Sequence, residues 1–196
     1  RSASNVGFGD GNNLGAMHAS GRYLAFLNPD TVVEPDWLIH LVNTLEANPD
    51  VGLTTSRILL YDDPNRINTC GNDLHFTGIT LCRGLQMDRD ALPVSEDVPA
   101  VSGAAFAIRR DLFDTLDGFD GTFFLYMEDT DLSLRARLAG YRCLYVPESV
   151  VYHHYELRIG PSKIFYQERN RYLMLCKGLR WPTLVALTPA LIVAEA

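Results

Sequence analysis

The sequence predicts an α/β fold in which a mostly parallel central sheet is flanked by helices. Residues 23–27 form a short, nearly continuous apolar run, which is typical of a strand buried on both faces. A helix follows, because apolar residues recur at helical spacing between residues 38 and 45 and the pattern ends at Asn48-Pro49. The next apolar run, residues 51–55, completes a strand, a helix and a strand in succession, and this order implies a right-handed parallel crossover.

The composition indicates one globular domain. A chain of 196 residues with 47% hydrophobic residues is long enough to bury a real core. The formal net charge of -7 argues against general affinity for nucleic acids. The four cysteines lack the spacing of a zinc site and suit a reducing cytosol, although a bridge between Cys70 and Cys82 stays open. Because the chain starts at Arg1 without an initiator Met, we expect it to be a piece of a longer protein.

The remaining elements follow from the glycines, the prolines and the apolar runs. The glycine-rich residues 5–15 predict a loop or a plain turn that leads into a short helix over residues 16–20. Residues 67–84 predict a hairpin, and residues 87–98 predict a charged, mobile loop. Further strands are expected over residues 101–108, 142–146 and 150–154, and further helices over residues 111–116 and from about residue 128 to residue 139.

Polar side chains lie at the ends of two predicted strands. Asn28 and Asp30 follow the first apolar run, at the carboxyl end of a central strand, where open α/β sheets bind their ligands. His153 and His154 end a later run, where a neutral imidazole is able to bind a metal ion, although a lone histidine is more often structural. The sequence therefore predicts a ligand site at these strand ends, with either imidazole as a candidate.

A cluster of carboxylates stands between the aromatic residues 123–126 and the start of a predicted helix. Aromatic neighbours raise the pKa of a carboxyl group, whereas a helix start and the cation of Arg135 lower it, so Glu128 or Asp129 can be tuned as a base. Acidic residues in a first helical turn also complement the helix dipole and cap free N–H groups. That purely structural role is the alternative.

Basic residues are concentrated near the carboxyl end of an otherwise acidic chain. Residues 161–179 form an amphipathic helical pattern rich in Lys and Arg, which predicts either binding to an anionic membrane or ordinary packing against the domain. Residues 184–193 are almost wholly apolar but too few to span a bilayer. They predict an interfacial helix or the edge of a membrane segment.

Several short motifs occur along the chain in a set order. They are Asn5-x-Gly7-Phe8, Gly11-x-Asn13-x-Gly15, Leu27-Asn28-Pro29-Asp30, Gly103-Ala104, Gly118-Phe119-Asp120, Glu128-Asp129-x-Asp131-Leu132-x-x-Arg135, Gly140-Tyr141 and His153. Each motif is weak alone, but the ordered set resembles glycosyltransferase family 2, notably its rhamnosyltransferase-like members. The resemblance implies a GT-A fold, an inverting reaction, a nucleotide-sugar donor and a glycan or lipid-linked acceptor.

The resemblance also implies a role for most of these residues. Asp129 is then the catalytic base, and Glu128 lies on the acceptor side. A divalent cation, Mg or Mn, is held by Asp30 and His153, while Asn28 stands where the family usually has the first carboxylate of Asp-x-Asp. The implied donor-binding residues are Asn5, Gly7, Asn13, Asn28, Asp30, Gly103 and Ala104. Because residues 167–170 do not match the Gln-x-x-Arg-Trp signature of processive members, we expect the addition of one or a few sugars.

The resemblance divides the chain at residue 157. We expect a catalytic GT-A domain over residues 1–157, without the family's first strand and helix, and a basic helix with an apolar tail over residues 158–196. The expected location is cytoplasmic, peripheral on the inner face of the cell membrane. The alternatives are a noncatalytic module that binds a carbohydrate or a partner, an inactive fragment of the enzyme, and a nucleotidyltransferase.

Overall fold

A computed structural model describes residues 4–156 and 160–195. The helices are α1 (Gly7–His18), α2 (Trp37–Ala47), α3 (Arg110–Thr115), α4 (Glu128–Leu138), α5 (Pro161–Gly178) and α6 (Trp181–Glu195), with a 3-10 turn at Gly121–Phe123. The strands are β1 (Tyr23–Leu27), β2 (Thr31–Val33), β3 (Val51–Leu60), β4 (Ile67–Thr69), β5 (Asn72–Leu74), β6 (Thr80–Cys82), β7 (Glu96–Asp97), β8 (Ala105–Arg109) and β9 (Arg142–His153). The predicted α/β class and its helix-flanked central sheet are confirmed.

The central sheet has the strand order β1, β8, β3, β9, β2, with β4 paired to β3 and β7 paired to β9. Strands β1, β3 and β9 run in one direction, as the predicted crossover requires, and β3 pairs with β9 in parallel. Strand β8 runs the opposite way between β1 and β3, so the strands joined by the crossover are not neighbours. The core lies around fully buried side chains of the central strands and α4, among them Phe106, Tyr145 and Leu132.

Strand β1 forms as predicted but is buried on one face only. Leu24 and Phe26 point into the core, where the Phe26 ring stacks on Phe106 with the ring centroids 4.9 Å apart. Ala25 and Leu27 on the opposite face are exposed. The strand pairs only with β8 within the described residues, so the prediction of a central strand buried on both faces was wrong.

The glycine-rich amino-terminal segment is helical rather than a loop. Helix α1 starts at Gly7, where the backbone N–H of Phe8 donates to the carbonyl oxygen of Phe124 at 2.8 Å. A Cβ on Gly9 would lie 3.1 Å from Cβ of Phe119, and the Phe8 and Phe119 rings meet edge to face with their centroids 5.7 Å apart. The glycines therefore let the helix approach the turn near residue 120, and this close packing outweighs their low helix propensity.

Strand β9 joins the two apolar runs that the sequence separated at Pro147. Its register against β3 shifts between Ser56 and Arg57, which are opposite Val146 and Val150 respectively. The extra residues form a bulge, and a bulge tolerates a proline that cannot donate to the ladder. The predicted hairpin is present as β5 and β6, and the thiols of Cys70 and Cys82 are free.

The carboxy-terminal helices differ in how they pack. Helix α5 buries Met174 and Leu175, and Met174 joins a cluster with Phe123 and Met127 that precedes α4. Most side chains of α6 are exposed, including Trp181 at 79%. None of the described helices is both long enough and apolar enough to cross a membrane. The predicted division at residue 157 lies outside the described residues, and α5 is packed onto the α/β unit.

Candidate active site

One cleft of about 280 Å³ collects most of the residues that the sequence singled out. Its lining includes Asn28, Gly103, Ala104, Glu128, Asp129 and His153. A larger groove of about 630 Å³, lined by residues such as Val98, Leu134 and Tyr141, contains none of the predicted catalytic, donor-binding or metal-binding residues. Because the smaller cleft combines carboxylates, an imidazole and open backbone, we take it as the candidate active site.

The first side of the cleft, the sheet wall, comprises Asn28 and His153, which line it, and Asp30, which pairs with His153 without being a lining residue. His153 is the last residue of β9 and is opposite Thr31 of β2 and Leu60 of β3, so its backbone is held on both sides. Its Nε2 lies 3.3 Å from Oδ1 of Asp30. The Asp30 side chain is 53% exposed, whereas that of His153 is 10% exposed. The carboxylate and the imidazole therefore converge at the strand ends.

His153 has the properties of a neutral ligand. Burial lowers its pKa, although the nearby Asp30 carboxylate opposes that change. On its other nitrogen, Nδ1, the ring is 2.8 Å from Oδ1 of Asn68. The neighbouring His154 is exposed and packs on Tyr61, with ring centroids 3.6 Å apart, and it does not line the cleft. The structure therefore favours His153 over His154 as the imidazole of this site.

Asp30 and His153 fit a partial coordination sphere for a hard divalent cation. Within residues 4–156 and 160–195, no group of three or more His, Cys, Asp and Glu side chains forms a complete protein site. Mg²⁺ and related ions are commonly held by one or two protein ligands, with substrate phosphate oxygens and water completing the sphere. The pair fits that arrangement and not an all-protein site.

The second side of the cleft, the helix wall, consists of Glu128 and Asp129 at the start of α4. Oδ2 of Asp129 accepts from the backbone N–H of Gly103 at 2.6 Å and from Nδ2 of Asn72 at 3.3 Å. Its Oδ1 accepts from the backbone N–H of Thr130 at 2.7 Å. Burial raises the pKa of Asp129, and the bonds from Gly103 and Thr130 oppose that rise. With the Thr130 hydroxyl 3.2 Å from Oδ1 as a fourth donor, the carboxylate is fixed in place by donors on both oxygens.

Glu128 differs from its neighbour because its carboxyl group is buried and poorly satisfied. The residue is 4% exposed, and its Oε1 has no hydrogen-bond partner in the described part of the chain. Burial, followed by the negative charge of Asp129, raises the pKa of Glu128 to about 7. The two adjacent carboxyl groups therefore have different environments, and Asp129 is the one with hydrogen-bond donors on both oxygens.

Residues 123–127, which lead into the helix wall, have an unusual backbone. Phe124, Tyr126 and Met127 have φ values of 58°, 69° and 70°, a region that costs a non-glycine residue about 1–3 kcal/mol. Asn170 of α5 is fully buried, and its Nδ2 lies 2.9 Å, 2.8 Å and 2.7 Å from the carbonyl oxygens of Phe123, Leu125 and Tyr126. Helix α5 therefore holds the segment that positions the carboxylates.

Asp30 and three further predicted donor-binding residues do not line the cleft. Oδ1 of Asn5 accepts from the backbone N–H of Gly7 at 3.0 Å, and Gly7 lies against the backbone of Phe124 with a positive φ of 85°. The amide of Asn13 donates to the carbonyl of Phe119 at 2.8 Å and accepts from its N–H at 2.9 Å. The structure gives Asn13 a structural role, and donor binding by these three residues stays a prediction.

Sequence reasoning missed several residues of the cleft, including Asn72, Tyr126, Tyr155 and Lys163. Lys163 was counted with the basic residues expected to face a membrane, yet its half-buried ammonium lies 5.5 Å from the ring centroid of Tyr126 and 6.0 Å from that of Tyr155. It is the one Lys or Arg among the described lining residues. The spacing of Lys163, Gln167 and Asn170 along one helical face was the available signal.

The sequence is similar to known glycosyltransferases. A sequence profile described as "Glycosyltransferase like family 2" matches residues 3–173. Rhamnosyltransferase WbbL of Escherichia coli (strain K12) is 28% identical over 173 residues, which cover 81% of this chain and 66% of the relative. The N-acetylglucosaminyl-diphospho-decaprenol L-rhamnosyltransferase of Mycobacterium tuberculosis is 42% identical over 86 residues, which cover 42% of this chain and 28% of the relative. The chain thus spans only part of the length of these relatives.

Solved structures share the fold. GalNAc-T7, crystallised with UDP, GalNAc and Mn²⁺, aligns with a TM-score of 0.65 and 22% identity over 81% of this chain and 32% of that one. The mannosyltransferase PcManGT from Pyrobaculum calidifontis, in complex with GDP-Man and Mn²⁺, aligns with a TM-score of 0.61 and 18% identity over 100% of this chain and 50% of that one. At these identities the likeness establishes the GT-A fold.

Proposed function

The chain belongs to the glycosyltransferase-like family 2, and from this membership we propose that it transfers a sugar from a nucleotide-sugar donor to a glycan or lipid-linked acceptor with inversion. The observation that carries the proposal is the single cleft in which Asp129 and His153 line two different walls, with the Asp30 carboxylate 3.3 Å from the imidazole of His153. A base and a phosphate-binding site are the two functions that such a transfer needs. The similarity to rhamnosyltransferases from two bacteria supports a deoxyhexose donor.

In the proposed reaction Asp129 is the general base. Its carboxylate accepts the proton of the acceptor hydroxyl while that oxygen forms a bond to the anomeric carbon. The bond from the anomeric carbon to the donor's diphosphate breaks in the same step, and the nucleoside diphosphate leaves with the electron pair. Asn72 and the N–H of Gly103 orient the carboxylate. A Cβ on residue 103 would lie 3.2 Å from Oδ2 of Asp129, which supports the need for glycine beside the base.

Asp30 and His153 would hold Mg²⁺ or Mn²⁺, and such an ion stabilises the negative charge of a departing diphosphate. The exposed Asp30 carboxylate is available to an ion, and the lowered pKa of His153 keeps its imidazole neutral. Lys163 adds a cation on the same cleft, and its charge suits a phosphate group. The two solved relatives that contain Mn²⁺ support this choice of ion.

The metal assignment is tested with Asp30→Ala, and Asp36→Ala is the matched control. Asp36 is an exposed carboxylate that lies close in sequence and, unlike Asp30, is not the carboxylate paired with His153. We expect Asp30→Ala to weaken Mn²⁺ binding and donor turnover strongly at an unchanged melting temperature, because the carboxylate lies outside the core. Asp36→Ala should behave as the unmodified chain. Undiminished transfer in excess chelator would contradict the assignment.

We also propose that the carboxy-terminal helices contact the cytoplasmic face of a membrane. Exposed apolar side chains on α5 and α6, such as Phe165, Trp181 and Val193, support shallow insertion. Some of the basic side chains that were expected to face the membrane are already bonded within the fold. Arg169 donates to the Thr122 carbonyl, and Lys177 pairs with Asp131. Binding should therefore depend on salt less than the sequence suggested. A chain that fails to sediment with anionic vesicles would refute the contact.

A further inference from the structure

His153 is held on its inner side by a residue that the proposed chemistry does not use. Asn68 lies on the short strand β4, is 2% exposed, and has its Oδ1 2.8 Å from Nδ1 of His153. The other nitrogen of the ring, Nε2, faces Oδ1 of Asp30 at 3.3 Å. The imidazole thus connects a buried amide on one side with the half-exposed carboxylate on the other.

A neutral imidazole has one N–H, and the partner of one nitrogen decides what the other can do. An amide oxygen only accepts, so an oxygen beside Nδ1 favours the proton there. The Asp30 carboxylate beside Nε2 competes for that proton, and a cation bound between Asp30 and Nε2 removes this competition and leaves the lone pair on Nε2. Metal-binding histidines commonly donate their second N–H to an oxygen in this way, and loss of that oxygen weakens metal affinity. The geometry around His153 has this form.

We propose that Asn68 is a positioning residue that keeps the proton of His153 on Nδ1 and thereby presents the Nε2 lone pair, beside Asp30, to a divalent cation. The inference rests on the proposed metal site and extends it to a residue without any contact to substrate. Nδ2 of Asn68 is buried and lacks a partner in the described part of the chain. An asparagine whose amide nitrogen is left unsatisfied is costly, and a function of its oxygen accounts for that cost.

The opposite arrangement of the amide makes the inference falsifiable. If Nδ2 instead donated to Nδ1, the proton would sit on Nε2 and would point at Asp30, and the lone pair needed by an ion would be absent. In its ionised form, Asn68→Asp offers only acceptor oxygens, so it preserves the proposed tautomer and cannot form the reversed one. Asn68→Leu has a similar volume and provides neither donor nor acceptor.

The experiment combines two measurements on the full chain. Long-range ¹H–¹⁵N correlation spectra of ¹⁵N-histidine-labelled protein with Mg²⁺ report which nitrogen of His153 is protonated, and Mn²⁺ titrations followed by electron paramagnetic resonance give Kd. We expect the Nδ1–H tautomer in the unmodified chain and in Asn68→Asp, and its loss in Asn68→Leu. The Mn²⁺ Kd should rise about 10- to 100-fold in Asn68→Leu, while Asn68→Asp retains binding.

Thr69→Val is the control for a merely structural effect. Thr69 is the next residue of β4, is buried, and donates its hydroxyl to the carbonyl of Gly71, so its loss should lower the melting temperature and leave Kd unchanged. An Nε2–H tautomer in the unmodified chain, or an unchanged Kd in Asn68→Leu, overturns the inference. If the unmodified chain binds no Mn²⁺, the metal assignment of the proposed function fails, and the tautomer alone then decides the role of Asn68.

Discussion

The sheet wall holds the proposed cation site and the helix wall holds the proposed base, and the surrounding structure supports the two walls in very different ways. His153 lies at the end of a long strand, where pairing with β2 and β3 fixes its backbone. Glu128 and Asp129 instead follow three non-glycine residues with positive φ, and the amide of Asn170 holds that segment from another helix. The sheet wall is preset by the fold, whereas the helix wall depends on a distant contact.

The difference suggests where this chain stores strain. Positive φ values at three non-glycine residues are stable only when surrounding structure overdetermines them, and such residues tend to occur at functional sites. A base must be held within a fraction of an ångström of its acceptor, so strain before α4 has a use there. A cation site that is completed by substrate phosphates and water needs only one or two protein ligands. The two walls should therefore respond to different substitutions.

The largest expected effect is the loss of turnover in Asp129→Asn. The amide keeps the shape of the side chain and removes its basicity, so kcat should fall by about 10²- to 10⁴-fold while the affinities for donor and Mn²⁺ stay near normal. One of the N–H groups of Gly103 and Thr130 loses its acceptor, which costs about 1 kcal/mol of stability. Turnover per folded molecule, donor affinity and melting temperature are measured on one preparation.

Glu128→Gln, a substitution at the neighbouring residue, is the matched control for that experiment. If the helix wall works through Asp129, then Glu128→Gln retains most of the turnover that Asp129→Asn loses. A nearly normal kcat in Asp129→Asn together with an inactive Glu128→Gln would move the base to Glu128. If Asp129 served only to stabilise the start of α4, stability would fall by about 1 kcal/mol and turnover per folded molecule would survive.

The sheet wall was the easier of the two to predict from sequence. An apolar run that ends in Asn28 and Asp30 marks a strand end, and a second run that ends in His153 marks another, so strand geometry brings them to one edge. The position of β1 at the edge of the described sheet was missed because an apolar run does not reveal whether both faces are covered. Likewise, glycine content alone concealed helix α1, whose stability comes from packing.

The support of the helix wall could not be predicted, because it joins residues distant in sequence. Asn170 meets the carbonyl of Phe123 across a separation of 47 residues, and no local pattern encodes that contact. Positive φ at Phe124, Tyr126 and Met127 is equally hidden, since aromatic residues and methionine have no preference for that region. Tertiary contacts, not propensity, determine this segment.

The next effect in size is a pH dependence of stability that belongs to the helix wall. The pKa of Glu128 is raised from 4.5 to about 7, so the folded chain binds this proton more tightly than the unfolded chain does. The stabilisation by the protonated group is complete below about pH 4.5 and is lost as the pH rises to about 7. Relative to Glu128→Gln, the unmodified chain should lose up to about 3 kcal/mol of unfolding free energy over that range.

Denaturant unfolding of both proteins between pH 4 and pH 8 checks this expectation. Gln mimics the neutral carboxyl group, so the two curves should meet at low pH and separate as the pH rises, with the variant more stable at pH 8. Parallel curves would mean that Glu128 gains solvent or a partner when it ionises. The Mn²⁺ affinity of the sheet wall should not follow this difference.

The smallest expected effect tests the dependence of the helix wall on α5. Asn170→Ala removes the amide that holds three carbonyl oxygens, so the free energy of unfolding should fall by about 2 kcal/mol. The segment before α4 can then relax, and a displaced Asp129 should lower kcat by roughly 10-fold. The Mn²⁺ affinity should stay unchanged, because the sheet wall is held by strand pairing. Kd, kcat and stability are therefore measured together.

Leu175→Ala on the same helix separates positioning from simple loss of packing. Leu175 is buried and packs near Gly78, away from residues 123–127, and its truncation should cost about 2–5 kcal/mol with normal turnover per folded molecule. A lower kcat in Asn170→Ala at a normal Kd, set against this control, would establish that α5 positions the base. Equal losses of Mn²⁺ affinity and kcat in Asn170→Ala would instead show that the two walls are coupled, for example through Lys163 of α5 and Tyr155, whose ring lies 5.7 Å from that of His153.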